Sequence, residues 1–263
     1  MATDLKILDH NKKVWDKLSE KGYIWTVPVD SQTVEKAGNG EWTIFATPTI
    51  PIPKNWFPES FKGIKLLGLA SGGGQQCPVF AALGADVTVF DNSPAQLDAD
   101  RMVAERENLS MSYAEGDMAD LSVFADNTFD LIFHPVSNSF IPDVNPVWRE
   151  AFRVLKPGGI LISGFTNPLT YLFDENELRQ GIMQVKHKLP FYGDQHLKEE
   201  ELNNLSEKAF ALEYSHTLED QIGGQMKAGF VLTGMFEDKE PDDLLSEYTS
   251  VYIATRALKP ASA

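Results

Sequence analysis

The chain is short of cysteine, of positive charge and of long apolar runs, and each shortage removes a class of function. Cys77 is the sole cysteine among 263 residues, so neither an intrachain disulfide, a CxxC redox motif nor a cysteine zinc cluster can be built. No stretch approaches the ~20 consecutive apolar residues of a membrane span. The opening MATDLKILDHNKKVWDKL has no signal-peptide apolar core, which makes a cytoplasmic location, away from any membrane, the expectation. Lysine and arginine total 23 against 38 aspartates and glutamates, a formal charge of −15 at pH 7. With no basic stripe to offset that field, nucleic acid is excluded as a partner. Acidic surplus also serves solubility, so only the exclusion is drawn from it. Nothing in the sequence fixes an oligomeric state.

What is present describes a globular chain. The apolar fraction is 43% and the aromatic fraction 11%, enough to build a core at a length that suits one large domain with additions. Between Ile64 and Phe165 short apolar runs alternate with amphipathic segments, the pattern of a doubly wound α/β sheet with crossover helices. Strands are expected at Ile64 to Ala70, Asp86 to Phe90, Phe129 to His134 and Gly159 to Phe165.

The intervening helices carry their own start signals. Ser93, Pro94 and Gln96 supply an N-cap, a first-turn proline and a capping-box partner for a helix running towards Asn108. Asn145 and Pro146 open another, whose Val147, Ala151, Val154 and Leu155 form one apolar stripe before Lys156-Pro157-Gly158-Gly159. Residues 1–61, with a helix around Asn11 to Lys21 and then Trp25, Trp42 and Trp56, read as a helical and aromatic cap. Residues 62–263 read as the core domain, with a polar and aromatic insertion at about 166–214. A helix is expected at Leu218 to Ala228 and strands at Phe230 to Phe236 and Tyr248 to Arg256.

The strongest local signal is Leu66-Leu67-Gly68-Leu69-Ala70-Ser71-Gly72-Gly73-Gly74-Gln75-Gln76, an apolar strand running into three glycines and then a helix. Such a loop lets a ligand approach the backbone, and N–H groups at the helix start favour a polar or anionic ligand group. The next unit ends Val87-Thr88-Val89-Phe90-Asp91, placing a carboxylate where it can accept both ribose hydroxyls of a nucleoside. A tight turn and a helix-capping acid are the plainer readings of the two features. Together the features also suit a nicotinamide dinucleotide, but GxGxxG is absent: counted from Ala70, its third glycine falls on Gln75.

Over roughly residues 62–165 the sequence resembles the class I methyltransferases of the type-11 group, which includes the quinone-biosynthesis methyltransferases. Leu69-Ala70-Ser71-Gly72-Gly73-Gly74 is similar to their glycine-rich first motif and Phe90-Asp91-Asn92-Ser93 to the second, with its ribose-binding acid. Gly116-Asp117-Met118 resembles the adenine-binding motif, Phe129 to Phe133 the fourth strand, and Arg153 to Gly159 the turn before the fifth. The resemblance implies a Rossmann-like, mostly parallel seven-stranded sheet completed by a C-terminal antiparallel hairpin. It also implies S-adenosylmethionine held by Ala70, Ser71, Gly72, Gly74, Gln76, Asp91, Asn92, Asp117, Met118 and His134.

Two departures stand out: Gly68 where the family usually has an acid, and Ala70 where it usually has glycine. Gln75 and Gln76 are candidate replacements for the lost hydrogen bonds. Methyl transfer from a sulfonium needs chiefly alignment and exclusion of water, with a general base only if the accepting atom carries a proton. His134, at the end of the fourth strand, is the first candidate for that base, a role weighed equally against packing on or bonding the cofactor. His196, His216 and Tyr192 read as structural. Trp15, Trp25, Trp42, Phe165, Tyr171, Phe191 and Tyr192 offer aromatic surface for a small, partly apolar acceptor, although such residues are also ordinary core material. A dinucleotide-dependent oxidoreductase and a catalytically silent nucleoside-binding protein are the alternatives on the same fold.

Overall fold

The computed structural model describes residues 4–195, 204–205 and 208–261; His196 lies outside them. The apolar runs form β1 (Lys65–Leu69), β2 (Asp86–Asp91), β3 (Met111–Glu115), β4 (Phe129–His134), β5 (Leu155–Thr166), β6 (Val231–Asp238) and β7 (Tyr252–Leu258). They make one seven-stranded sheet in the order β3-β2-β1-β4-β5-β7-β6. The first five strands run parallel, and β7 is inserted antiparallel between β5 and β6. This is the Rossmann-like methyltransferase architecture, antiparallel hairpin included.

The helices are α1 (Asp4–Glu20), α2 (Ser31–Gly38), α3 (Cys77–Ala82), α4 (Pro94–Glu107), α5 (Asn145–Val154), α6 (Glu175–Arg179) and α7 (Gly224–Ala228). Helix α4 begins as its sequence predicts, Ser93 Oγ accepting Gln96 N–H at 3.2 Å, and ends on Asn108 at φ +55°. The helix expected at Leu218 to Ala228 is present, π-helical over Glu219–Gly223 and continuing as α7. The last strand starts at Tyr252 rather than Tyr248, because a 3₁₀ turn over Leu245–Glu247 precedes it.

Alternation along the strands sends side chains to two cores. On one face Leu66, Val87, Val89, Leu131 and Phe133 pack with Phe80 of α3 and Leu97 of α4. On the other Leu67, Leu69, Ile132 and Leu161 pack with Val147, Trp148, Ala151 and Val154 of α5. Burying each such aliphatic side chain contributes about 1.5–3 kcal/mol. Ile44, Ile52, Trp56, Phe57 and Phe61 join the first of these cores, so the stretch before β1 is part of the packed interior.

Helix α1, by contrast, lies across the carboxyl ends of the strands. Asp16 Oδ1 accepts Ser93 Oγ–H at 2.6 Å and Ala95 N–H at 3.2 Å at the start of α4. Lys12 pairs with Glu115 at the end of β3. Asn11 donates to Phe140 O and Leu212 O and accepts from Leu212 N–H.

Candidate functional site

The candidate site begins where β1 ends. Ala70 takes φ +46°, the left-handed region in which glycine is the relaxed choice, so the backbone here keeps the turn of the family motif although its residue differs. The other departure has a packing cause. A Cβ on Gly68 would stand 2.3 Å from Cys77 Sγ; the buried thiol occupies the space an acidic side chain would need. Ser71, also buried, lies beside that thiol, Oγ to Sγ 3.6 Å. Burial pushes the Cys77 thiol well up, so it is an inert packing group.

The glycine loop is satisfied internally. Gly72 N–H donates to Asp91 Oδ2 at 2.9 Å, Gly73 N–H to Gln96 O at 3.0 Å and Gly74 N–H to Asp100 Oδ2 at 3.0 Å. All three glycine N–H groups of the loop are spent within the protein, two of them on carboxyl groups.

Asp91 is half-buried at the end of β2. Its second oxygen accepts Ser93 N–H at 3.0 Å. Desolvation raises its carboxyl while the bonds from Ser93 and Gly72 oppose the rise. Each oxygen keeps a further lone pair, which is what two ribose hydroxyls require. Asn92 beside it is half-buried, as are Asp117 and Met118 after β3. Asp117 Oδ1 accepts Ala119 N–H at 2.9 Å, forming the turn, and Met118 packs against the α5-side core.

Sequence reasoning missed Asp100. It lies on α4, wholly buried beneath the loop. Desolvation, opposed by the bond from Gly74 N–H and reinforced by Asp91, pushes its carboxyl up to about 8. The only signal was an acid on the inward face of an otherwise amphipathic helix.

Of the two glutamines, Gln75 is engaged by the chain itself. Gln75 Nε2 donates to Ile24 O at 3.2 Å and Val27 O at 3.1 Å, clamping the N-terminal segment over the loop. Val29 N–H donates to Gly74 O at 2.9 Å in the same contact. Gln76 Oε1 is 3.5 Å from Phe45 N.

His134 is fully buried. Its Nδ1 lies 2.8 Å from Leu69 O; a carbonyl only accepts, so Nδ1 carries the proton and Nε2 the lone pair. The ring sits edge-on to Trp148 at 5.9 Å, and Nε2 has no hydrogen-bond partner. Burial lowers its pKa to about 4, which leaves a neutral imidazole tying β4 to β1. His216 Nε2 lies 2.9 Å from Asn138 O, in keeping with a structural residue.

The aromatic residues divide. Trp42 packs against Phe57 and Phe61 in the core, and Phe165 is buried. Trp15 meets Phe140 edge-on at 5.1 Å, and Tyr171 stacks on Phe191 at 5.6 Å. Trp25 and Tyr192 are exposed. Among the described residues no helix is long and apolar enough to cross a membrane.

Comparison with known proteins agrees with this geometry. The methyltransferase-domain family of type 11 matches residues 67–163, which hold the loop, Asp91, Asp117 and His134. An uncharacterised methyltransferase of Bacillus subtilis, YbaJ, is 52% identical over 253 residues, 96% of this chain and 98% of that protein. A ubiquinone biosynthesis O-methyltransferase of Cereibacter sphaeroides is 30% identical over 110 residues, 42% of this chain and 44% of that one. A solved methyltransferase from Listeria monocytogenes, 18% identical, superposes with a TM-score of 0.60 over 78% of this chain and 95% of its own; it shares the fold. Loop, carboxylates, sheet order and near full-length kinship together make the chain a member of the type-11 S-adenosylmethionine-dependent methyltransferases.

Proposed function

We propose that this methyltransferase holds the nucleoside of S-adenosylmethionine through Asp91 and Asn92, its adenine beside Asp117 and Met118, and its amino-acid end along Ala70, Ser71, Gly72 and Gly74, with Gln76 at the margin. The observation that carries the reading is the closed set of loop hydrogen bonds, three N–H groups donated inward, which suits a sulfonium and disfavours a dinucleotide. When bound, S-adenosylmethionine supplies a methyl group on an activated leaving group; the protein's task is alignment and exclusion of water.

In this reading His134 serves alignment. A neutral, buried imidazole with a pKa near 4 is a weak base at pH 7, and its bond to Leu69 O fixes the end of β1 from which the cofactor loop departs. Helices α1 and α2, with the strap between them, cover the cofactor, while residues 166–195 and 208–214 wall the acceptor side. The acceptor is a small, partly apolar molecule and the protein works in the cytoplasm.

Calorimetry tests the reading: S-adenosylhomocysteine should bind, and NAD should bind at least about 100-fold more weakly, the loss of some 2.7 kcal/mol expected without phosphate donors. NAD binding alone would overturn the cofactor assignment and leave the fold standing.

A further inference from the structure

Beyond the cofactor loop, the carboxyl ends of β4 and β5 hold a polar pair that no role above has used. Residues 212–214 run extended, so side chains alternate: Leu212 and Tyr214 are buried with Ile7, while Glu213 points the other way and is solvent-accessible. Its backbone is fixed from both sides. Gly193 N–H donates to Glu213 O at 2.8 Å, and Tyr214 N–H donates to Ser139 O at 2.7 Å. A Cβ on residue 193 would come within 2.6 Å of that same oxygen, so only glycine allows the approach.

The Glu213 side chain is fixed too. Tyr171 Oη–H donates to Glu213 Oε2 at 2.8 Å, the tyrosine ring is stacked on Phe191, and the Ser139 and Thr166 side chains oppose the rise that burial and Glu213 give its phenol. Ser139 follows β4 and Thr166 ends β5, so the pair stands at the strand ends where ligands of open α/β sheets bind. Tyr23, from the strap clamped over the cofactor loop, faces the same space; desolvation raises its phenol, and Glu175 and Glu213 raise it further.

We infer that Glu213, oriented by Tyr171, is the proton-accepting group for the methyl acceptor, whose accepting atom is an oxygen or nitrogen that carries a proton. The inference rests on the proposed cofactor site. An acceptor X–H gives its proton to the free oxygen of Glu213. The X lone pair forms the bond to the methyl carbon, and the S–CH₃ bond breaks with its electron pair passing to sulfur. The products are X–CH₃ and the neutral thioether, with the proton on Glu213 released to solvent. The Tyr171 hydrogen bond holds one oxygen of the Glu213 carboxylate and leaves the other to accept the proton. The groups facing Glu213 are Tyr171, Glu175, Tyr23 and Tyr252. Arg179 stands nearby but is paired with Glu175, so an anionic acceptor is disfavoured.

The test uses S-adenosylmethionine labelled in its methyl group with three probes: catechol, benzylamine and thioanisole, the last having no proton to lose on sulfur. Transfer to catechol or benzylamine is expected, and which of them reacts names the class as hydroxyl or amine. Glu213→Gln should lower that rate by about 10²-fold or more, leave S-adenosylhomocysteine affinity within twofold, and abolish the rising acid limb of the pH profile. Tyr171→Phe should move that limb to higher pH, because the carboxylate loses a hydrogen bond. The inference is overturned by transfer to thioanisole alone, by no transfer to any probe although S-adenosylhomocysteine binds, or by an unchanged rate in Glu213→Gln. An equal loss of rate and S-adenosylhomocysteine affinity in that variant overturns it as well. Failure of the wild-type protein to bind S-adenosylhomocysteine sinks the cofactor reading first and this inference with it.

Discussion

Two carboxyl groups under one loop do different work. Asp91 accepts two backbone N–H groups while remaining at the surface of the cleft. Asp91→Ala should therefore weaken S-adenosylhomocysteine binding by about 1.5–3 kcal/mol and also cost the unliganded protein about 1–3 kcal/mol, since it strands those donors. Paired calorimetry and denaturant unfolding would read both; an unchanged apo stability would mean the loop does not depend on this bond. Asp100 is buried, and its carboxyl stands near 8 when folded against the ordinary carboxylate value of 3.8 when unfolded. An acid raised on folding is protonated more in the native state, so stability is fullest below about pH 4 and declines as pH rises towards 8. Asp100→Asn keeps the acceptor for Gly74 N–H without a charge to bury. It should gain about 3–4 kcal/mol on the wild type at pH 7 and flatten the decline between pH 4 and 8. Parallel slopes for the two proteins in urea unfolding across that range would refute the account.

At the scale of elements, what could be foreseen followed from burial. Strands β1 and β4 are apolar on both faces because helices cover both, and such runs announce themselves in sequence. Strand β3 did not: Met111-Ser112-Tyr113-Ala114-Glu115 is an edge strand without a fully buried residue, and its alternation is too weak to separate from a loop. Helix α2 was hidden likewise, its eight residues burying only Val34 and Ala37. Asp91 was legible because it ends a strand; Asp100 and Glu213 gain meaning only from residues far along the chain, Gly74 and Tyr171, that no local spacing reveals. The strap from Tyr23 to Val29 belongs to the same class, since Gln75 holds it by carbonyls rather than by any side-chain pattern. Gln75→Ala should speed amide exchange in residues 24–29 by about tenfold or more while leaving α5 and β4 unchanged, as expected for a local opening that loses about 1–2 kcal/mol. Exchange no faster than in the wild type would show that the strap is held by something other than the glutamine.

For the whole molecule the boundary that matters falls inside the N-terminal sixty residues. Helix α1 meets the sheet's carboxyl edge through the polar side chains of Asp16, Lys12 and Asn11, and α2 sends only Val34 and Ala37 inward. The stretch that follows is different in kind. Ile44, Ile52, Trp56, Phe57 and Phe61 lie in the same core as Leu66, Phe80 and Phe133, and Asp238 of β6 accepts N–H groups from Thr49 and Ile50 at 2.8 and 3.0 Å. Five large side chains at about 1.5–3 kcal/mol each amount to roughly 8–15 kcal/mol, the whole net stability of an ordinary domain. A chain beginning at Gly40 should therefore unfold in one cooperative transition at a lowered midpoint and bind S-adenosylhomocysteine weakly, having lost the strap. A chain beginning at Lys62 should show no cooperative transition at all. Thermal unfolding followed by near-ultraviolet circular dichroism separates the two. A cooperative melt from the shorter chain would mean that the sheet and its helices hold a sufficient core without the segment from Ile44 to Phe61, and that this segment belongs with the cap.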